Sequence, residues 1–518
     1  MLPRAYDADN ASRLLDDVLN GVRIGRAPAE ATVISPNWPS ALQFRHKVDE
    51  IVANDLALGR LDGPYITPPF THFICSPLGA FLKRDGVKIR LIHDLSYPHG
   101  RSVNSLISPE DFSLQYASVD DAVAACRRLG EPVLSNIDLK DAYKFVGVAQ
   151  ADWHLLGFRW DLPGQGGDRF YFSRVLSFGL RSAPALFDSL ASALEKFMLL
   201  QGVRSTIIRY VDDFLIVSDS HRDAVSDLAT VTRVAGDAGF LIQEDKVAGP
   251  ARSLQFLGVI IDLDRGELRI SEDRVLETKT ILAEWVGRRS GSKRKLLSLV
   301  GKLAFAARVV RSGRAFLGRL IALAKSVGPL HHHVRLTPEA RKDIDWWIAC
   351  IDRHNGVTTI EVDWSSPDVL HVYTDASGSG CGAVLGHEWF AIEYGGPDAF
   401  PLDFSINWRE LHVAVKAVVT WAPRLSGHKV VFHIDNAAAG CIISKLYSPN
   451  QDLMELLRHW CLTVEAHSIT TQVRYIATQD NVLADLLSRG DLDRFSHLHT
   501  PDSTRVTPAS FPFYEKLV

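Results

Sequence analysis

The chain has 518 residues, of which 46% are hydrophobic and 23% are charged, close to the average for soluble globular proteins. This composition excludes collagen, coiled coils and wholesale disorder, and a prior of about 150 residues per domain predicts three or four domains. The 57 Lys and Arg residues nearly balance the 61 Asp and Glu residues, leaving a formal net charge of −4. A uniformly basic nucleic-acid coat is therefore excluded, although a local basic face is not.

The first half of the chain predicts a mixed α/β structure. Residues 1–45 are polar with weak helical signals and are interpreted as an N-terminal extension. Next, Asp85-Gly86 separates two short β-type runs and predicts a hairpin between residues 80–83 and 88–93. Residues 120–262 alternate helical stretches with apolar strands at 132–137, 207–211 and 214–217, which indicates a central sheet.

A basic segment, residues 288–325, follows. It contains eleven Lys and Arg residues and no Asp or Glu, on apolar spacing typical of helices. One interpretation is an amphipathic helix pair with a solvated basic face. The absence of acids in an acidic chain favours a surface that faces phosphates.

The last third predicts a second α/β unit. Strands are expected at 369–374, 383–385, 389–393, 430–434 and 471–476, and helices at 408–421, 437–446 and 453–467. Residues 353–367 are predicted to be a polar linker, and residues 491–518, which contain three prolines, are predicted to be an irregular tail.

Three acids in the first half are placed at the ends of apolar strands. Asp138 ends the strand at 132–137, and Asp212 and Asp213 lie in a tight turn between two apolar runs. A solvated turn alone would account for an Asp-Asp pair. Three carboxylates converging on a sheet, however, repel one another unless cations lie between them, and two Mg²⁺ ions about 3.5–4 Å apart serve phosphoryl transfer in this way.

These residues resemble the reverse transcriptases of retroelements. Residues 138–143 match the first catalytic motif, residues 210–213 match the Tyr-x-Asp-Asp motif, and residues 176–187 are similar to the intervening Gly-Pro motif. The resemblance covers residues 46–350 and implies a right-hand polymerase. Fingers and palm are expected at 46–262, and thumb and connection helices at 263–352.

The resemblance also implies roles for individual residues. Asp138, Asp212 and Asp213 would hold the metal ions. Lys83 and Arg90 would bind the triphosphate, and Tyr143 would exclude a 2′-hydroxyl, although a half-buried palm tyrosine would look the same in sequence. The remaining implied nucleotide- or primer-binding residues are Phe178, Gly179, Lys246, Leu257 and Gly258, with Lys246 placed to protonate the leaving pyrophosphate.

A second set of acids lies in the last third, in the order Asp375, Glu410, Asp435 and Asp485. Each alone has an ordinary explanation, such as a helix N-cap for Asp435. Together they resemble the four metal-binding acids of ribonuclease H, which implies a mixed β-sheet domain with helices at 368–490. Many ribonucleases H carry a histidine shortly before the last acid, where this chain has Thr478 and Gln479.

The sequence thus predicts an α/β (α+β) multidomain polymerase–nuclease of a retrotransposon. Expected cofactors are Mg²⁺ or Mn²⁺, two ions per active site. Expected partners are an RNA template, a DNA or RNA primer, the RNA–DNA hybrid, dNTPs and other element-encoded proteins such as a recombinase or integrase and a capsid-like protein, but no membrane. An intracellular location, in cytoplasm, nucleus or both, is also expected.

Alternatives remain open. A domesticated copy that only binds nucleic acid would be expected to have lost an acid, yet all seven are present. An RNA-dependent RNA polymerase is disfavoured by Tyr143 and by the second unit. Within the retrotransposons, residues 93–104 and 434–439 are most similar to the DIRS-like group, whereas residues 178–180 and 484–489 are shared with gypsy-type elements.

Overall fold

The computed structural model describes residues 8–25, 31–83, 86–354, 357–359, 364–394 and 404–510. The chain forms two compact units, Met1–Leu257 and Gly258–Val518. Both are mixed α/β, which confirms the predicted fold class, whereas the finer division into six segments stays a prediction. No helix in these ranges has the length and apolar character of a membrane span.

The first unit is built on two larger sheets and a hairpin. Its strands are β1 (Val33–Ile34), β2 (Leu61–Tyr65), β3 (Ile74–Cys75), β4 (Leu78–Leu82), β5 (Ile89–His93), β6 (Val133–Asp138), β7 (Gly157–Trp160), β8 (Arg169–Ser173), β9 (Thr206–Tyr210), β10 (Asp213–Ser218), β11 (Ala248–Ala251) and β12 (Ser253–Phe256). Its helices are α1 (Ala8–Asn20), α2 (Pro39–Gln43), α3 (Arg45–Ala57), α4 (Val119–Cys126), α5 (Ala142–Phe145), α6 (Ala183–Leu200) and α7 (His221–Asp237). The sheets have the strand orders β1-β3-β7-β8-β2 and β11-β6-β10-β9, and β4 pairs with β5.

Helix α6 shows why this unit folds around the second sheet. Pro184 lies in its first turn, where a proline loses no helical hydrogen bond. Ala183, Phe187, Ala191, Leu194 and Met198 recur on one face and are buried in the same core as Ile137 and Phe214 of the central strands. The apolar face of α6 therefore holds the strands that carry the acids.

The first 45 residues differ from the predicted extension. Within the described part, β1 pairs with β3, and Val22 and Ile24 are buried in the main core. Arg23 donates to Asp152 at 2.9 Å. The sequence shows only short apolar pieces here because their partners are distant in the chain, about 41 positions away for β1 and more than 120 for Val22 and Arg23.

The second unit contains a six-stranded sheet and a helical region. Its strands are β13 (Val259–Asp262), β14 (Glu267–Ile270), β15 (Ser290–Ser292), β16 (His333–Arg335), β17 (Val357–Thr359), β18 (Leu370–Ala376), β19 (Gly380–Leu385), β20 (Glu388–Glu393), β21 (Lys429–Ile434), β22 (Thr470–Tyr475) and β23 (Thr504–Arg505). Its helices are α8 (Glu272–Ala283), α9 (Lys293–Ala306), α10 (Gly318–Lys325), α11 (Pro338–His354), α12 (Ile406–Thr420), α13 (Ala422–Leu425), α14 (Ala437–Lys445), α15 (Gln451–Ala466), α16 (Val482–Ser488) and α17 (Leu492–Leu498). The sheet order is β22-β21-β18-β19-β20-β23.

Two segments predicted to be irregular contain regular structure. In the predicted linker 353–367, β17 pairs with β14. In the predicted tail 491–518, α17 buries Phe495 and β23 pairs with β20 in parallel. Both strands are only two or three residues long, too short for an alternating pattern, so long-range pairing decides their structure.

Candidate active sites

The first three acids meet at one end of the four-stranded sheet. Strands β9 and β10 form a hairpin in which Asp213 pairs with Tyr210, leaving Val211 and Asp212 as the turn. Val211 has a φ of 56°, the left-handed conformation that a two-residue hairpin turn requires. On its other side Asp213 pairs with Asp138 of β6. The register therefore brings the acids together, as the sequence predicts.

Burial and mutual repulsion raise the proton affinity of this cluster. Asp138 is 4% exposed, and Lys246 Nζ donates to its Oδ2 at 2.8 Å. Burial, followed by the charges of Asp212 and Asp138, raises the pKa of Asp213 to about 7. Burial also raises the pKa of Asp212, an effect that Lys246 and Arg90 oppose. Burial lowers the pKa of Lys246, but the hydrogen bond with Asp138 and the neighbouring acids outweigh that effect and raise it.

A cavity of about 580 Å³ opens beside these acids. Its wall includes five acids and seven cationic side chains. The acids are Glu50, Asp55, Asp138, Asp141 and Asp212, and the cations are Arg60, Lys83, Lys88, Arg90, Lys140, Lys144 and Lys246. Lys83, Arg90 and Lys246 were predicted from the sequence, whereas the other four cations were not. Arg84 and Asp85, the tip of the predicted hairpin, lie outside the described residues. Because cationic side chains outnumber acidic ones in its wall, the cavity can accept a polyanion next to the carboxylates of Asp138 and Asp212.

Tyr143 lies behind the cavity wall and not in it. Its ring packs 5.0 Å from that of Phe178 and 5.9 Å from that of Phe187, and burial raises its pKa to about 12. Phe178 does line the cavity, 38% exposed, with the Arg90 guanidinium 5.8 Å from its ring centre. Any contact of Tyr143 with a nucleotide sugar would therefore be made alongside Phe178.

The residues 177–181, here called the Phe178 loop, approach the end of β5 closely. Gly179 has a φ of 113°, and a Cβ at this position would lie 2.2 Å from the carbonyl oxygen of His93. The His93 amide donates to the Phe178 carbonyl at 3.2 Å. Only glycine fits this approach, which agrees with its predicted place in the motif. Leu257 and Gly258, with φ values of 50° and 80°, do not line the cavity.

In the second unit, three of the four predicted acids gather. Asp375 is near the end of β18, and Asp435 directly follows β21, which runs parallel to β18 with Thr374 opposite Ile434. Glu410 reaches them from α12, and donor oxygens of the three carboxylates lie within 4.8 Å of one another. Among the described residues this is the one such group of potential metal ligands found.

Burial raises pKa values in this cluster too, and most strongly at Glu410. Burial, with the charges of Asp375 and Asp435, raises the pKa of Glu410 to about 9, and burial raises that of Asp375 to about 6. Glu410 is 3% exposed. Its Oε1 accepts from the Ala376 amide at 3.2 Å, whereas its Oε2 is buried without a hydrogen-bond partner in the described structure. A buried carboxylate oxygen without a donor is costly unless a proton or a cation is bound.

Asp485 lies on α16 outside the three-acid group. Its Oδ1 accepts from Arg489 Nε at 2.7 Å. Thr478, near the position at which many ribonucleases H carry histidine, donates to Asp435 Oδ2 at 2.9 Å. The absence of this histidine is visible in the sequence, but the hydrogen bond from Thr478 to Asp435 could not be predicted from it.

The basic segment 288–325 divides into structural and solvent-facing cations. Lys293 Nζ donates to the Val327 and Gly328 carbonyls at 2.7 and 2.9 Å, and Arg319 contacts Asp343 at 3.0 Å. By contrast, Arg294 and Lys295 on the first turn of α9 are exposed. The segment therefore presents fewer than eleven charges to a partner.

Comparison with known proteins agrees with this site. Residues 82–261, which include the first acid cluster and its cationic wall, match the family model described as reverse transcriptase (RNA-dependent DNA polymerase). The resemblance to retroelement reverse transcriptases predicted from the sequence is thus confirmed, and the family model matches this chain over residues 82–261.

Relatives extend the similarity over more of the chain. The Transposon Tf2-3 polyprotein of Schizosaccharomyces pombe is 22% identical over 426 residues, covering 79% of this chain and 28% of that protein. The Gag-Pro-Pol polyprotein of bovine leukemia virus is 26% identical over 280 residues, covering 51% of this chain and 18% of that protein. The chain thus spans less than a third of the length of these curated relatives.

Solved structures of foamy viral protease–reverse transcriptase are also similar. A complex with dsDNA has a TM-score of 0.48 and 17% identity, over 92% of this chain and 95% of that one. A complex with an RNA/DNA hybrid has a TM-score of 0.49 and 16% identity, over 91% and 61%.

Proposed function

We propose that this chain is the RNA-directed DNA polymerase of a retrotransposon and that its second unit cleaves the RNA strand of RNA–DNA hybrids. The observation that carries the proposal is that Asp138, Asp212 and Asp213 meet at one end of a sheet, beside a cavity in whose wall cationic side chains outnumber acidic ones. Nucleotidyl transfer needs carboxylates at the reacting phosphate and positive charge around the rest of the triphosphate.

Both acid clusters offer ligands to divalent metal ions, and in the second cluster the ligand atoms of three acids lie within 4.8 Å of one another. Their donors are carboxylate oxygens, the ligands that Mg²⁺ and Mn²⁺ prefer. The raised pKa values and the partnerless Glu410 Oε2 show a local excess of negative charge that a cation would relieve. Two ions per site would be held by Asp138, Asp212 and Asp213 in the first unit and by Asp375, Glu410, Asp435 and Asp485 in the second. Such ions supply charge neutralisation at the phosphoryl group and activation of the attacking oxygen.

The protein's own groups then bind and orient the substrates. Lys83 and Arg90 bind the triphosphate of the incoming dNTP. Lys246 carries a proton on Nζ next to Asp138, where a leaving pyrophosphate would accept it. Phe178 forms the aromatic surface against which the sugar packs, and Tyr143 supports its ring from behind. In the second unit, Thr478 orients the Asp435 carboxylate.

Partners follow from this chemistry. An RNA template, a DNA or RNA primer and the resulting hybrid are the proposed nucleic-acid ligands, and the exposed part of the basic segment would contact their phosphates. Because the curated relatives are polyproteins, we expect other element-encoded proteins to work with this chain.

Primer extension on a homopolymer RNA template, with Mg²⁺ and either dNTPs or NTPs, tests the polymerase, and cleavage of a labelled hybrid tests the nuclease. Asp212→Asn should abolish DNA synthesis and leave cleavage intact, whereas Asp435→Asn should do the reverse. Asp219→Asn, at the exposed opposite end of β10, is the matched control and should change neither activity.

Three results would contradict the proposal. Loss of both activities in either folded variant would reject the assignment of two separate sites. Use of NTPs in place of dNTPs would indicate an RNA polymerase. Binding of primer–template without synthesis or cleavage would favour a domesticated copy that only binds nucleic acid.

A further inference from the structure

The Phe178 loop is held by a side chain that lies 75 positions upstream. Asn104 begins a short 3₁₀ helix, Asn104–Leu106, and is 5% exposed. Its Nδ2 donates to the Gly179 carbonyl at 2.7 Å and to Ser96 Oγ at 2.9 Å. Its Oδ1 accepts from the Arg181 amide at 2.8 Å. The buried Asn104 side-chain amide therefore binds the loop on both sides of Leu180, donating to Gly179 before it and accepting from Arg181 after it.

This pairing has a chemical requirement that few residues meet. The side chain must both donate and accept within one planar group, which asparagine does and aspartate, leucine or alanine cannot. A second link reinforces the first, since Arg181 Nη1 donates to the Ile107 carbonyl at 2.7 Å. The segment 104–107 thus fixes the loop through both its backbone and a side chain.

The position of the loop sets the position of Phe178. Gly179 is pressed against the His93 carbonyl, so the loop cannot move toward β5, and Asn104 prevents it from moving away. The Phe178 ring in turn contacts the Tyr143 ring and lies beneath the Arg90 guanidinium. A displacement of the loop would therefore move the Phe178 ring and the Tyr143 ring that packs against it, on which the choice between dNTP and NTP is proposed to depend.

We infer that Asn104 is a positioning residue for sugar discrimination, acting through the Phe178 loop on the Phe178 ring, which lines the cavity, and on the Tyr143 ring packed behind it. The inference rests on the proposed polymerase function and deepens it. Asn104 does not line the cavity, so its effect is indirect. It should be visible in the ratio of kcat/KM for a dNTP to that for the matching NTP.

The test compares Asn104→Ala and Arg181→Met with Ser96→Ala, all in the full chain. Ser96→Ala removes a bond from the same Asn104 amide but leaves both bonds to the loop. Asn104→Ala should lower the dNTP-to-NTP ratio about tenfold, the order expected when two buried hydrogen bonds are lost. Arg181→Met should lower it less, and Ser96→Ala should leave it unchanged. Primer–template affinity and hybrid cleavage should be unaffected in all three.

The outcomes separate a positioning role from a merely structural one. If Asn104 only stabilised the fold, kcat/KM would fall equally for both nucleotides and the ratio would not move, which would overturn the inference. If Asn104→Ala does not fold, an unchanged ratio in folded Arg181→Met would overturn it equally. Failure of the wild-type chain to extend a primer would reject the proposed function and this inference together.

Discussion

The proton on Glu410 should compete with divalent metal ions at the second acid cluster. With a pKa of about 9, this carboxylate is protonated at neutral pH and must lose its proton before it can act as a metal ligand. At pH 7, two units below this value, that loss weakens metal binding about 100-fold, or ~2.7 kcal/mol, relative to the fully ionised site. Apparent affinity for Mn²⁺ should therefore rise about tenfold per pH unit between pH 7 and 9.

The same proton affects the stability of the metal-free chain with a defined sign. The pKa of Glu410 is raised in the folded state from an ordinary 4.5, so the folded chain holds this proton more tightly than the unfolded chain does. Its contribution to stability is then lost as the pH rises from about 4.5 to about 9. Below about pH 6, Asp375 adds a second proton that competes with the metal.

Electron paramagnetic resonance of free Mn²⁺ across pH 6–9 measures the affinity. All proteins would carry Asp212→Asn and Asp213→Asn, so that the first cluster does not contribute. Glu410→Gln should bind Mn²⁺ more weakly at pH 9 and lose the slope between pH 7 and 9. Asp435→Asn, which removes a ligand but not the Glu410 carboxyl, should bind weakly and keep a slope shifted to lower pH, because the Asp435 charge helps to raise the pKa of Glu410. A flat wild-type profile in this range would show that Glu410 is ionised in the metal-free chain and would refute the reasoning.

Three further predictions concern the polymerase site and the basic segment. Tyr143→Ala should raise NTP incorporation about tenfold or more with a modest loss of dNTP use, because it removes a clash and adds no contact; unchanged sugar discrimination in single-nucleotide extension would exclude Tyr143 as the gate. Gly179→Ala should reduce DNA synthesis about a hundredfold while hybrid cleavage persists, since its Cβ would collide with the His93 carbonyl. Replacing Arg294 and Lys295 with Ala should reduce the slope of log affinity against log salt by about 1.8, whereas Lys293→Ala should lower thermal stability and leave the slope unchanged. Fluorescent primer–template titrations distinguish these last two results, and equal slopes for the double variant and wild type would show that Arg294 and Lys295 are only solvated.

The strands that carry the acids could be predicted from the sequence to within two residues. The reason is local: apolar runs flank Asp138 and the Asp212-Asp213 turn, and buried strands bounded by turn residues leave this pattern. The gathering of Asp375 and Asp435 was implied by the resemblance to ribonuclease H, and in the structure each acid lies at or just after the end of an apolar strand. Here the sequence pattern and the three-dimensional contact depend on the same few residues.

The parts that escaped prediction depend on contacts distant in sequence. Asn104 lies in a polar stretch with no periodicity, and its importance arises only because the chain returns 75 residues later with Gly179. The structural role of Lys293 was hidden among ten other cations of the same segment. The two-residue strand β23 has no pattern of its own and forms because the edge of β20 is available to pair with it.

In each acid cluster, the repulsion between buried carboxylates is compensated by a different positive group. This difference explains why the pKa values of the two clusters differ. In the first cluster, the Lys246 Nζ lies 2.8 Å from Asp138 Oδ2, and its positive charge compensates part of the negative charge of the acids. In the second, Arg489 is engaged with Asp485, and burial of the remaining three acids is offset by the retained proton on Glu410. The proton on Glu410 must leave before this carboxylate can bind a metal ion, whereas Lys246 keeps its charge without a proton being released. Metal binding at the first site would thus be tied to a group with a pKa of about 7, and at the second site to one of about 9. Because each group must ionise before it can act as a ligand, we expect the first site to reach full metal affinity at lower pH than the second.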